Sequence, residues 1–300
     1  MIGRPELTAR LFNTPLCVDA RKAATIASAF GARCLGAQTI VVDAETVEHF
    51  AGARSPSAAR LGNDPTRVYE REKRKPYGMI GNVAVIGIEG TLVHKGAWVG
   101  SYSGETSYQG LAAQAFAALR DGQVKGVVFE VDSFGGEVAG LDDAARALSL
   151  LSAEKPTLAI LTDFALSAGY ALASTARQIV MPPHGEAGSI GAVMLHVDVS
   201  ERLKKDGAVV TVMRSGARKA EGSPFEKLDD GARAAFQQRL DAVRDDFAEM
   251  VARARAGRIS KQAALDTEAA SFGGADALAL GLVDALGSPT EAFESFVRSL

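Results

Sequence analysis

A single serine, Ser167, stands in DFALSAGYALAS between an apolar strand-like run and an alanine-rich helical pattern. A hydroxyl there can cap the backbone N–H groups that open a helix, or attack a carbonyl carbon when a base lies within reach. Read locally the cap comes first, because no GxSxG elbow of the α/β-hydrolase kind surrounds it. The N–H of Ala168, at the positive end of the same helix, has no intrahelical acceptor and can face a developing oxyanion. Upstream, VDSFGGEVAG places Gly135 and Gly136 between a strand and a helix. Paired glycines let backbone N–H groups approach a ligand closely and so supply a second arm of an oxyanion hole, or they make a tight βα turn and nothing more.

A nucleophilic serine also needs a base. The four histidines, His49, His94, His184 and His196, have no neighbours that mark a base and read as surface or strand residues. A lysine can serve instead if burial lowers its pKa from about 10.4 towards neutrality, roughly 4 kcal/mol of differential interaction. Lys219, in MRSGARKAEGSPFEKL, follows a β-branched run in a loop rich in small residues; on its own it reads as an exposed side chain.

The elements that must position these groups follow from periodicity. Short β-branched runs, VAVIGIEG, GVVFEVD and TLAILTD, alternate with helical patterns near 107–120 and 138–152. That alternation predicts βαβ crossovers and a largely parallel, buried sheet. ARQIVMPP, IGAVMLHVDV and AVVTVMR predict further strands, and Phe236, Leu240, Val243, Phe247 and Val251 mark a long helix over about 229–256. The class is α/β with a helical C-terminal part. Near the N-terminus, Ala23, Ile26, Ala27 and Phe30 share one face of a helix that begins near Asp19. Residues 51–82, rich in Gly, Pro, Ser, Arg and Lys, read as a linker; the cluster Arg71, Lys73, Arg74 and Lys75 is assigned no function.

Composition narrows the function classes. Among 300 residues, 47% hydrophobic and 23% charged describe a globular chain with a sizeable core, and a net charge of −3 gives no electrostatic case for nucleic acid. Cys17 and Cys34 form no CxxC pair and have no nearby histidine, so neither a zinc site nor a disulfide framework is expected; a reducing cytoplasm fits. No run of the N-terminal region has signal-peptide or membrane-spanning length, so no membrane partner is expected.

Five ordered motifs, VDSFGGEVAG, LSAGYALAS, GEAGSIGAVM, RSGARKAEGSP and FGGADALALGLVDALG, resemble the signal peptide peptidase A family of Ser/Lys peptidases from about Val83 to Gly287. SGARKAEGSPFEKLDDGARAAFQQRLDAVRDDFAEMV, LDTEAASFGGADALALGLVD and an arm carrying LFNTPL are similar to its phage capsid maturation branch. The resemblance implies a ClpP/crotonase-like spiral of βαβ units at 83–287, after an N-terminal helical arm (1–50) and the linker, and before a short tail (288–300). It implies Ser167 as nucleophile, Lys219 as general base, and Gly135, Gly136 and Ala168 as backbone oxyanion donors. No cofactor or metal is implied. It further implies a homo-oligomer in which a neighbouring subunit closes the pocket or donates the lysine, and a peptide or protein substrate drawn from capsid scaffold, head or portal proteins. Phe134 stands where the family usually has proline, which predicts a less rigid oxyanion loop. A cytoplasmic peptidase of the same family, a crotonase-type acyl-CoA enzyme and an inactive structural subunit are the alternatives.

Overall fold

The computed structural model describes residues 12–25, 66–94, 98–102 and 104–300; Ile26, Ala27, Phe30, Cys34 and His49 lie outside the described residues. In chain order the elements begin with β1 (Leu16–Val18), α1 (Arg67–Arg71), β2 (Gly78–Ile80), β3 (Val83–Glu89), β4 (Thr91–Val93), β5 (Ser101–Tyr102), β6 (Glu105–Ser107) and α2 (Tyr108–Arg120). There follow β7 (Gly126–Ser133), β8 (Gly135–Glu137), α3 (Leu141–Glu154), β9 (Thr157–Leu166), α4 (Ala168–Ala173), β10 (Gln178–Met181) and β11 (Glu186–Gly188). The C-terminal part holds α5 (Ser200–Lys205), α6 (Asp230–Ala254), α7 (Lys261–Asp266), β12 (Ser271–Gly273), α8 (Gly274–Ala279), β13 (Ala285–Leu286) and α9 (Pro289–Ser299).

The β-branched runs form the centre of an α/β fold. β3, β7 and β9 pair in parallel, with Val83 opposite Gly126 and Val127 opposite Thr157. The start of β9 also pairs with β10 and its end with β11, both in parallel, so the carboxyl end of β9 lies beside β11 and its loop. Period-two alternation divides the side chains between two cores. Ala84, Ile86, Ile88, Val127, Phe129, Val131, Ala159 and Leu161 face the core that contains Leu111 and Ala115 of α2 and Leu148 and Leu151 of α3. Val83, Val128, Leu158 and Ile160 face a second cluster completed by Phe296 of α9. Each fully buried aliphatic side chain contributes about 1.5–3 kcal/mol. A smaller sheet, in the order β1-β8-β4-β6-β5, holds the glycine loop.

Several sequence expectations are altered. Residues 288–300, expected as a short tail, hold a helix on the sheet: Phe296 is buried, and Ala292, Phe293 and Val297 pack beside it. Of the stretch read as linker, residues 78–80 pair with β3 as an edge strand, and Tyr77 is buried with its hydroxyl donating to Asp121 at 2.8 Å. The arm is not wholly helical either, since β1 joins the smaller sheet before the helix at residues 20–25 begins. AVVTVMR, at 208–214, is not a strand: its β-branched residues suit one, yet among the described residues no edge pairs with it, and Val209 and Met213 stay 82% and 91% exposed. IGAVMLHVDV forms only isolated bridges, at Val193 and Leu195. Among the described residues no helix is long and apolar enough to cross a membrane.

Asp121 predicts an acid limb of stability. Burial by itself would raise this carboxyl, but the Lys75 ammonium at 2.5 Å, the Gln123 N–H and the Tyr77 hydroxyl outweigh it and hold the pKa at about 2. A carboxyl depressed in the folded state stabilises above its unfolded value of about 3.9, and that contribution disappears as pH falls through the folded value. Melting temperatures measured from pH 5 to 2 should therefore fall most steeply below about 4, and Asp121→Asn should flatten that limb.

Candidate active site

Ser167 follows β9 directly and opens α4. Its backbone is at φ 54°, ψ −124°, a region that costs a non-glycine residue about 1–3 kcal/mol. The turn is held by Ser167 N–H donating to Gly188 O at 2.8 Å and by Ala171 N–H donating to Ser167 O at 2.9 Å. Three other helix starts show what capping looks like in this chain: Ser107, Asp229 and Ser260 each accept a backbone N–H from the first turn with the side chain. Ser167 makes no such bond. Its side chain is buried, and among the described residues Oγ has no hydrogen-bond partner. A strained backbone, an unused buried hydroxyl and a place at a helix N-terminus set Ser167 apart from those caps.

The glycine loop meets this serine. A Cβ on Gly135, which sits at φ 99°, would lie 3.0 Å from Ser167 Cβ and run into the Cys17 carbonyl oxygen. On Gly136 it would collide with the Leu92 carbonyl of β4. Gly169 is small for a related reason: its Cβ would be 2.9 Å from the Ser133 carbonyl oxygen, where α4 packs on the end of β7. Ser133, which the sequence did not single out, ties the loop down: Oγ donates to Gly90 O at 2.7 Å and accepts the Gly135 N–H at 3.1 Å. In this conformation the Gly135 N–H is therefore engaged, whereas the Ala168 N–H opens α4 beside Ser167.

The sequence-derived base is elsewhere. Lys219 lies in an exposed turn, with its N–H donating to Gly216 O at 3.1 Å, and the single chain does not join it to Ser167. No described histidine takes its place. His184 is exposed, the His94 N–H donates to Glu137 at 2.7 Å, and His196 Nδ1 lies 2.9 Å from Asn13 Oδ1. Burial depresses the His196 pKa.

A second group unseen in sequence comes from the N-terminal arm. β1 lies antiparallel to β8, with Cys17 opposite Gly136. The Cys17 thiol is buried against Ser167, although no hydrogen bond of ordinary geometry joins the two groups. Burial, aided by the negative charge of Asp142, pushes this thiol up to about 12, so it stays protonated. Phe134 is not loose: its ring stacks on Phe164 at 4.5 Å, and the Arg21 guanidinium lies 5.2 and 5.4 Å from the two ring centroids. Arg21 also pairs with Glu186 at 2.7 Å and Asp19 at 2.8 Å.

A parallel α/β sheet thus carries a strained serine at a βα junction, and the family follows from sequence. Residues 149–298 match the model of peptidase family S49, and the chain belongs to that family. It is 34% identical over 298 residues to head-tail preconnector protein GP5 of Enterobacteria phage P21, covering 98% of this chain and 57% of that protein. It is 33% identical over 288 residues to capsid assembly protease C of Escherichia phage lambda, covering 96% of this chain and 64% of that protein. The chain thus spans somewhat more than half the length of these two relatives. Among solved structures, an enoyl-CoA hydratase from Shewanella pealeana aligns with 74% of this chain and 72% of its own, at 13% identity and a TM-score of 0.46.

Proposed function

We propose that this chain is a serine endopeptidase that cleaves scaffold or head proteins during the maturation of a phage procapsid. The observation that carries the reaction is Ser167: φ 54°, buried, with Oγ unpartnered at a helix N-terminus, in a chain of family S49. The capsid role rests on the two phage relatives, one of them named a capsid assembly protease.

In the mechanism, a neutral Lys219 amine takes the proton from Ser167 Oγ as the oxygen attacks the scissile carbonyl carbon. The oxyanion is held by backbone N–H groups of the Gly135–Gly136 loop and of Ala168; Gly135 exchanges its bond to Ser133 Oγ for the oxyanion. The protonated lysine then gives its proton to the departing amine as the C–N bond breaks, and water, deprotonated by the same amine, hydrolyses the acyl-enzyme. Each lost oxyanion donor costs about 10²- to 10³-fold in turnover.

An exposed ammonium is a poor base at neutral pH, so Lys219 must be dried and brought to Ser167. Assembly supplies both. The unpaired run at 208–214, with exposed Val209, Val210 and Met213, leads directly to the lysine turn, and a second copy that pairs with this run covers it. The test is to incubate size-fractionated protein with unprocessed capsid and scaffold proteins from its phage and map the products by mass spectrometry. Cleavage is expected in oligomeric fractions only, and none with Ser167→Ala or Lys219→Ala. Processing that survives in both variants, or is undiminished in monomer, would contradict the reading.

A further inference from the structure

Residues 12–18 run between two backbone edges that flank Ser167. On one side β1 pairs antiparallel with β8 of the glycine loop, from Leu16 opposite Glu137 to Val18 opposite Gly135. On the other, Leu16 and Val193 exchange both N–H···O bonds at 2.9 Å, and Asn13 N–H donates to Leu195 O at 2.8 Å. Strand alternation puts Leu16 and Val18 together in an apolar cluster with Ala23, Val193 and Leu195, while Cys17 turns to Ser167.

Both ends of the segment are fastened by side chains. Asn13 Nδ2 donates to Gly222 O at 2.7 Å, three residues beyond Lys219, and its Oδ1 meets His196. Asp19 N–H donates to Phe134 O at 2.9 Å. Arg21 then closes the far end, forked onto Glu186 at 3.2 and 2.7 Å with its guanidinium over Phe134 and Phe164. Phe134, the departure from the family's proline, supplies one of those two rings.

We infer that residues 12–21 are a built-in occupant of the peptide cleft, holding the place of an extended substrate over Ser167 and fastened by Arg21. This rests on Ser167 being the nucleophile of the proposed function. Main-chain pairing on two edges accepts an extended chain of any sequence, and the pockets beside it select. The segment in place, Pro15-Leu16-Cys17-Val18, defines the chemistry selected: an extended apolar peptide with a small side chain at the position facing Ser167. A substrate enters when this segment leaves, and because Asn13 also holds the Lys219 turn through Gly222, its departure frees the base-bearing loop as well.

The test uses the full chain and a fluorescently labelled synthetic peptide with the sequence of residues 12–20, which lacks the arginine fastening and has serine replacing the cysteine, followed by anisotropy. Arg21→Ala removes both the ion pair and the cation–π contact and should bind the peptide about tenfold more tightly than the unaltered chain, while Glu186→Gln removes the ion pair alone and should bind it about threefold more tightly. The two variants cut the same fastening from opposite sides, so one poorly folded variant leaves the other to decide. Equal affinity in all three proteins, or no binding in any, overturns the inference. Fluorophosphonate labelling run in parallel separates the two claims. A tenfold gain in peptide binding with no Ser167 adduct in any protein upholds cleft occupancy and removes the nucleophile.

Discussion

Ser167→Gly should abolish peptide-bond hydrolysis and at the same time make the protein more stable. The serine backbone at φ 54°, ψ −124° stores about 1–3 kcal/mol that glycine does not. The greater unfolded-state freedom of glycine returns about 0.5–1 kcal/mol of that gain. Oγ makes no hydrogen bond, so its removal strands no partner. The net is about 1 kcal/mol of stabilisation, a rise in melting temperature of about 2–4 °C for a domain of this size. Ser167→Ala keeps the Cβ and the strain, and should melt close to the unaltered chain. Turnover should fall by about 10⁴-fold or more in both, as expected when a nucleophile is lost from a unit whose members act together. Calorimetry beside a processing assay reads both effects. A glycine variant less stable than the parent would mean that the serine side chain supports the fold, and the strain would lose its functional meaning.

The largest stability effect should come from Arg255→Met. The Arg255 side chain is fully buried, with Nη1 and Nη2 on the two oxygens of Asp284 at 2.8 and 3.0 Å and Nη2 also donating to Gly281 O at 3.0 Å. Asp284 in turn accepts the Ile179 N–H at 2.7 Å, which ties the end of α6 to β10 and to the residues just before β13. Burial would raise the Asp284 carboxyl, and the bonds and charge of Arg255 reverse that and hold it below the usual carboxylate range. Removing the arginine leaves a partly buried carboxylate held only by Arg258 and one N–H, at a cost of about 2–3 kcal/mol. Arg255→Met with Asp284→Asn should cost about 1–3 kcal/mol less than the sum of the two single changes, because the stranded charge is gone and an amide oxygen can still accept from Ile179. Urea midpoints at constant m-value measure it. If the double change costs the sum of the two single ones, the pair is not the fastening described.

The sheet was legible because its strands are uninterrupted β-branched runs between glycine-rich turns, as in VAVIGIEG and GVVFEVD. AVVTVMR has the same local character but no edge to pair with among the described residues, and a sequence does not show which edges are free. The last helix was hidden by its length, and its packing depends on one face, where Phe296 meets Val83, Val128 and Ile160 from distant strands. At the site, the position of Ser167 was readable from the strand-to-helix change, but its backbone strain was not. That strain arises from the sharp turn between β9 and the tightly packed α4, where Gly169 rests on Ser133. Cys17 and Arg21 were unreadable as site residues because their partners, Gly136, Ser167, Phe134, Phe164 and Glu186, are more than a hundred residues away.

Lys219 joined to Ser167 across assembled copies is the claim on which the rest depends, and covalent labelling tests it most directly. Oligomeric protein is treated at neutral pH with a fluorophosphonate probe, digested, and the adduct located and timed by mass spectrometry, for the unaltered chain and for Lys219→Ala. A single adduct on Ser167 is expected, forming at least a hundredfold more slowly without the lysine. An adduct on another residue, or one on Ser167 whose rate is indifferent to Lys219→Ala, would contradict the dyad.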